Sequence, residues 1–301
     1  MSPYILTIGL NPVWQTILSF PELNMGEVNR SHEYTSCCSG KGLNVTRVLQ
    51  QAEVRVKHLT YLDSPEGAFY KSAREQNLPV EYIPSNSTIR NCYTLLDRKG
   101  GSATEIVEHG RAVPPEAEDE MVEAFGKLLP DASLVIISGS HAEGFSRNLY
   151  PEMSRRTKIA GKTLILDIRG DELKECLNYR PDLIKPNREE FCQTFLPGEN
   201  YHEVPESRLE GAMLGLYGHW KTSTILTNGD GTTLICYKGE ISRSQPEKLK
   251  NWVNPIGCGD AYTAGLATEL SRGKGITAAV ERAEEFARRN AMSFIPGDIS
   301  A

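Results

Sequence analysis

Ser133-Leu134-Val135-Ile136-Ile137-Ser138 and Thr163-Leu164-Ile165-Leu166-Asp167-Ile168 bracket the stretch 133–168, and between them Arg147–Ala160 has helical spacing. Both flanking runs are apolar nearly throughout instead of alternating, which suits strands covered on both faces. Working outward, Tyr4–Leu10, Val54–Leu62, Leu183–Lys185 and Ser223–Thr227 are predicted as further strands. Leu43–Gln51, Pro115–Leu129, with its leading proline and acidic first turn, and Val204–His219 are predicted as helices. Alternation of this kind implies an α/β fold with a doubly wound, mostly parallel sheet.

Two regions depart from that rhythm. Residues 13–38 and 88–108 show strand-like alternation without intervening helices, and Arg98-Lys99-Gly100-Gly101 marks a turn in the second. Because a βα unit separates them, they are expected to meet as a small accessory sheet rising from the main sheet, placed to act as a lid. There is no internal repeat and no linker-like tract, so residues 1–301 are expected to form a single domain with this lid.

Charge and composition narrow the partners. With 33 basic and 39 acidic residues the formal net charge is -6, so the basic excess that nucleic-acid or anionic-membrane binding requires is missing. The longest apolar runs have strand length, far short of the roughly 20 residues of a membrane helix. Seven cysteines, an odd number without a CxxC pair or a leader-like segment ahead of them, set the expectation of reduced thiols in the cytoplasm. The six histidines lack metal-ligand spacing, and no Walker A, Gly-x-Gly-x-x-Gly, Gly-x-Ser-x-Gly or His-Glu-x-x-His sequence occurs.

Four short clusters carry chemistry. Asn254-Pro255-Ile256-Gly257-Cys258-Gly259-Asp260-Ala261 follows a strand-like segment and opens a small-residue helix, Ala261–Leu270. Gly257 and Gly259 let successive N–H groups and the positive helix end point at one anion, with the Asp260 carboxylate beside them. A phosphoryl transfer needs both parts: donors for charge on the moving group and a base at the attacking hydroxyl. The bland alternative is an aspartate favoured at a helix N-terminus by the dipole alone. Cys258 reads as a small side chain beside the anion hole, although its helix-start position could lower its thiol pKa.

Ser39-Gly40-Lys41-Gly42-Leu43-Asn44-Val45 begins a helix with close-approach glycines, a cation in Lys41 and an amide in Asn44, a pattern shared with ordinary glycine turns. Lys185-Pro186-Asn187-Arg188-Glu189-Glu190 ends a strand, where Asn187 and Glu190 form a capping-box pattern that could also orient the waters of a magnesium ion. Thr88-Ile89-Arg90-Asn91 places in the lid an arginine suited to holding phosphate.

In this order on one alternating scaffold, the clusters resemble the PfkB branch of the ribokinase-like carbohydrate kinases, over nearly the whole chain. The resemblance extends to Leu10-Asn11-Pro12, Gly26-Glu27-Val28-Asn29-Arg30, Gly42-Leu43-Asn44-Val45, Thr104-Glu105-Ile106, Ser138-Gly139-Ser140 and Pro181-Asp182-Leu183-Ile184-Lys185-Pro186-Asn187. Within the family it looks most like the 1-phosphofructokinase and tagatose-6-phosphate kinase branch. It implies a three-layer αβα sandwich and transfer of the γ-phosphoryl of magnesium-ATP to a ketohexose-phosphate hydroxyl, with a β-sheet lid that often also forms a homodimer contact. On that basis Asp260 is the base and the amides of Gly257, Cys258, Gly259 and Asp260 form the anion hole. Asn187 and Glu190 serve the magnesium through water, and Lys185, Thr227, Gly229, Gly231, Gly257 and Gly259 lie near the nucleotide. Gln15, Gly40, Lys41, Asn44, Arg90, Ser140 and Asp260 hold the sugar phosphate, with Arg30 as a helper.

Departures from the family pattern gather on the sugar side. Gln15 stands where an aspartate usually accepts two sugar hydroxyls, Ser39 where glycine is usual, and His141-Ala142 where Leu-Pro is usual; His109-Gly110-Arg111 replaces a Pro-Gly-Pro-like turn. The reading is therefore conserved chemistry with a shifted acceptor. A sugar-phosphate sensor that has lost catalysis, or a kinase for an unphosphorylated sugar or nucleoside, are the alternatives that Gln15 leaves open.

Overall fold

A computed structural model describes residues 3–300. β1 (Tyr4–Ile8), β2 (Val13–Phe20) and β3 (Glu33–Ser39) lead into α1 (Lys41–Gln51), β4 (Val56–Leu62), α2 (Ala68–Glu75) and β5 (Val80–Pro84). β6 (Arg90–Asp97) and β7 (Ser102–Val107) form a hairpin. The alternation then resumes with α3 (Glu116–Leu128), β8 (Ala132–Ser138), α4 (Leu149–Ile159), β9 (Thr163–Asp167), α5 (Gly170–Leu177), β10 (Leu183–Ile184), α6 (Arg188–Phe195) and α7 (Glu206–Trp220). β11 (Ser223–Leu226), β12 (Thr233–Tyr237), β13 (Glu240–Ser244), α8 (Cys258–Ser271) and α9 (Ile276–Met292) complete the order.

Nine strands make the large sheet, in the order β13-β12-β11-β10-β9-β8-β1-β4-β5, parallel except where β12 and β13 pair antiparallel at one edge. The apolar runs face both ways, as their composition requires. Ile136, Ile165 and Leu183 stand opposite one another across β8, β9 and β10 and join the core under α1, α8 and α9, with Val45, Val48, Ala264 and Phe286. One position on, Ile137, Leu166 and Ile184 join the opposite core with Phe69, Phe125, Met153, Phe191 and Met213 of α2, α3, α4, α6 and α7. Each fully buried Ile or Leu in these rows contributes roughly 1.5–3 kcal/mol. The result is a three-layer αβα sandwich.

From β1 the chain builds outward one way through β4 and β5 and the other way through β8 to β13, so the order reverses between β1 and β8. The carboxyl ends of strands at such a switch point form a crevice. Two details bring α8 to that crevice. Its small residues admit α9 so closely that a Cβ on Gly265 would lie 2.4 Å from Ala283 Cα. The segment before it, expected as strand-like, is instead a loop whose amides at Val253 and Asn254 both donate to the Ala291 carbonyl at the end of α9. That tie to α9 replaces a ladder.

The second sheet has the order β3-β2-β6-β7. β2 pairs parallel with β6 and antiparallel with β3, so the two sequence regions meet side by side. On one face Ile17, Cys37 and Leu96 pack with Trp252, Phe294 and Ile295 of the main body. Replacing Gly265 by alanine forces α8 and α9 apart. A loss of about 1–3 kcal/mol is expected in urea denaturation, the cost of overpacking a filled contact.

Candidate active site

A cavity of about 490 Å³ opens at the carboxyl ends of β1, β8, β9, β10 and β11, with the small sheet forming part of its wall. Asn11, Ser138, Gly139, Ser140, Asp167, Lys185, Asn187 and Thr227 come from the strand ends, and Gly40, Lys41 and Asn44 from the start of α1. Gly257, Gly259 and Asp260 come from the start of α8, and Gln15, Arg90, Cys92, Glu105 and Val107 from the small sheet.

Gly257 caps α8 in the left-handed region, at φ 86°, and a Cβ there would lie 2.9 Å from Gly297 N, so glycine is required twice over. Of the first-turn amides that follow, that of Cys258 donates to the Pro255 carbonyl at 3.3 Å, while those of Gly259 and Asp260 open the helix, where the dipole adds a partial positive charge. Asp260 is buried, and its Oδ2 accepts from Asn44 Nδ2 at 2.8 Å. Burial pushes the Asp260 carboxyl up to about 7, opposed by Lys41, aided by the like charge of Asp167, and opposed further by the Asn44 hydrogen bond and Lys185.

Asp167 is the second buried carboxylate. Lys185 Nζ lies 3.5 Å from its Oδ2 and Lys41 Nζ 3.9 Å from its Oδ1, while Thr263 Oγ1 donates to Oδ2 at 3.1 Å. Burial alone would raise this group, yet the two ammonium groups and the hydrogen bonds outweigh it and hold Asp167 below the usual carboxylate range. Neighbouring acids are thus driven apart, one firmly ionised and one poised near neutrality. Asp167 raises Lys41 in turn, above the usual lysine value.

At α6, Asn187 Oδ1 accepts from Glu190 N at 2.8 Å and Glu190 Oε2 accepts from Asn187 N at 3.0 Å, a complete capping box. Glu190 Oε1 remains beside Lys41 Nζ at 3.4 Å. In the small sheet, Gln15 Nε2 donates to Thr94 Oγ1 at 2.7 Å. Arg90 is partly buried, and its Nε has no hydrogen-bond partner, the signature of a donor awaiting an acceptor.

The cavity thus gathers Gln15, Gly40, Lys41, Asn44, Arg90, Ser140, Lys185, Asn187, Glu190, Thr227, Gly257, Gly259 and Asp260. Gly229 and Gly231 sit in the turn between β11 and β12 and do not line it, and Arg30 is exposed in the β2–β3 connection. Cys258 lies outside the lining, near Asn290 Nδ2 at 3.4 Å, and burial pushes its thiol up to about 11, the reverse of a helix-start activation. Sequence reasoning passed over Asp167. Its signal was a charged residue closing an otherwise apolar strand at the crevice end. Glu105 also lines the cavity, although the sequence offered it only as part of a family segment.

Comparison with known proteins agrees with this architecture. The description "pfkB family carbohydrate kinase" matches residues 8–291, and the chain belongs to that family of kinases. Tagatose-6-phosphate kinase of Staphylococcus epidermidis is 28% identical over 300 residues, covering 98% of this chain and 94% of that one. The crystal structure of phosphofructokinase-2 from Escherichia coli in complex with potassium superposes with a TM-score of 0.86 at 17% identity, over 97% of this chain and 93% of that one. Arabidopsis thaliana ribokinase, complexed with ribose and ATP, gives 0.73 at 17% identity, over 99% and 95%. These two structures share the fold.

Substituting Lys185 by methionine removes the nearest cation from a buried carboxylate. At pH 7 a loss of about 3 kcal/mol is expected in urea denaturation. The ionised Asp167 contributes its stability above the ordinary carboxylate range, so the deficit should shrink only as pH falls below that range, through the lowered folded value at which the wild type also loses the charge.

Proposed function

We propose that the protein transfers the γ-phosphoryl group of magnesium-ATP to a hydroxyl of a ketohexose phosphate, with Asp260 as general base. The observation that carries this reading is the Asp260 carboxylate, buried against Asn44 on the cavity wall directly after the glycine-flanked amides that open α8. Asp260 takes the proton of the attacking hydroxyl, whose oxygen bonds to the γ-phosphorus as the bond to the ADP oxygen breaks. The amides of Gly257, Gly259 and Asp260 meet the charge on the moving group, while that of Cys258 is engaged by the Pro255 carbonyl.

Lys185 serves the nucleotide phosphates, with Thr227 close by and Gly229 and Gly231 in the adjoining turn. Glu190 Oε1 and Asn187 suit the water shell of a magnesium ion, which supplies charge neutralisation at the phosphates. Among the described residues no three His, Cys, Asp or Glu side chains are grouped to hold a metal by themselves. Phosphate oxygens and water fill that need in a hydrated magnesium site. Lys41 and the unpartnered Arg90 hold the phosphate of the sugar, alongside Gly40, Asn44 and Ser140.

The small sheet, spanning about 13–38 and 88–108 of a single kinase domain, then acts as the lid. Its outward face supports a homodimer through that lid: Tyr34 and Ile106 are 73% and 53% exposed, and they flank the partly buried Leu18, Tyr93 and Leu95. No helix among the described residues is long and apolar enough to cross a membrane, consistent with a cytoplasmic enzyme. Gln15 is bound to Thr94, so the acceptor sugar departs from those the family commonly uses. A panel of phosphorylated and free sugars, scored by ADP release, tests that point. Wild-type turnover of fructose 1-phosphate or tagatose 6-phosphate at ordinary family efficiency would sink it.

Asp260→Asn should lower kcat by about 10²–10⁴ in an ADP-release assay. Because the free carboxyl sits near 7 and must be ionised to accept a proton, kcat/KM of the wild type should climb as pH passes upward through 7 and then level off.

A further inference from the structure

Asn44 lies in the first turn of α1 and is buried against Asp260. Its amide can turn either NH₂ or C=O toward that carboxylate, and only NH₂ stabilises the ionised form. Two groups reach Asn44 Oδ1: Ser39 Oγ at 3.0 Å and Arg47 Nη1 at 3.1 Å. They are not equivalent. A hydroxyl can donate or accept and so tolerates both orientations of the amide, whereas a guanidinium has no acceptor and tolerates one.

Arg47 is itself firmly placed. It is 3% exposed, with Nε donating to Gln76 Oε1 at 2.9 Å, Nη1 also to the Pro296 carbonyl at 2.7 Å, and Nη2 to the Cys38 carbonyl at 2.6 Å. All of these acceptors are neutral. A cation buried among neutral carbonyls is costly to desolvate, and hydrophobic packing would fill the same space more cheaply.

The geometry points to Arg47 as a positioning residue for the phosphoryl transfer: acting through Asn44, it locks the amide with Nδ2 toward Asp260, the orientation that favours the charged carboxylate. This rests on the reading of Asp260 as the base. Other charged groups around Asp260 are Lys41 at the start of α1 and Lys185 beyond β10, which favour its charge, and Asp167 at the end of β9, which disfavours it. Glu190 of α6 stands behind Lys41. None of them fixes the amide.

The test is the pH dependence of kcat/KM for Arg47→Gln and Arg47→Lys, each alone and with Asn44→Ala. Glutamine offers an acceptor as well as donors and frees the amide to turn; lysine, like arginine, only donates. Arg47→Gln should move the midpoint of the acid limb upward by about one pH unit, which lowers kcat/KM at pH 7 about fivefold. Arg47→Lys should keep the midpoint within about 0.3 unit of wild type. In the Asn44→Ala background, Arg47→Gln should produce no further shift. The midpoint does not depend on how much enzyme is folded, so poor yield of a variant leaves the measurement intact. An unmoved midpoint in Arg47→Gln, or an equal shift with and without Asn44, would overturn the proposal and leave Arg47 a packing residue or a remote charge. Asp260→Asn separates the two levels. If that variant turns over at the wild-type rate, the assignment of the base fails; if it is inactive while the Arg47 midpoints stay put, only the positioning role fails.

Discussion

Two buried carboxylates facing one cavity cannot both be ionised without help, and the placement of two ammonium groups decides which one is. Lys185 and Lys41 lie within ion-pair distance of Asp167, while Asp260 has a neutral amide as its hydrogen-bond partner. The asymmetry requires a strand end, two helix starts and a strand-to-helix turn to converge within a few ångströms. The parallel sheet provides this, because the reversal of strand order beside β1 leaves a gap that helices flank but do not fill.

The small sheet serves the same electrostatics from the other side. Charges and dipoles act more strongly when water is kept away, and Gln15, Arg90, Cys92 and Glu105 form a wall that the large sheet alone could not offer. That wall is anchored near the chemistry. Arg98 at its tip donates to the Val253 carbonyl at 2.8 Å, within the loop that leads to Gly257, and Trp252 packs beneath the sheet.

The sheet was legible in the sequence because parallel strands buried on both faces must be apolar along their buried length, as 134–137 and 164–166 are. The accessory strands were legible from their alternation in β2 and β6. What stayed hidden was the long-range geometry. Nothing local distinguishes Asp167 from any aspartate that ends a strand until Lys41 and Lys185 are seen on either side of it. Arg47 reads as one more polar residue of an amphipathic helix, since its acceptors at Cys38, Gln76 and Pro296 come from three separate parts of the chain. Conversely, Gly229 and Gly231 had family resemblance in their favour, yet line no part of the cavity. The segment before Gly257 misled through its apolar character, because its amides turn to Ala291 and not to a neighbouring strand.

Gly297 rests against Asn44, where a Cβ would come within 2.8 Å of the Asn44 Cα, and the neighbouring Pro296 carbonyl accepts from Arg47. Asn44 and Asp260 are themselves 216 positions apart. Contacts this distant in sequence are slow to close, since the loop they enclose must first be restrained by everything folded between them. During synthesis the α1 side of the pocket therefore emerges long before its counterpart, and catalytic competence arrives with the last packed segment, not with the sheet that supports it.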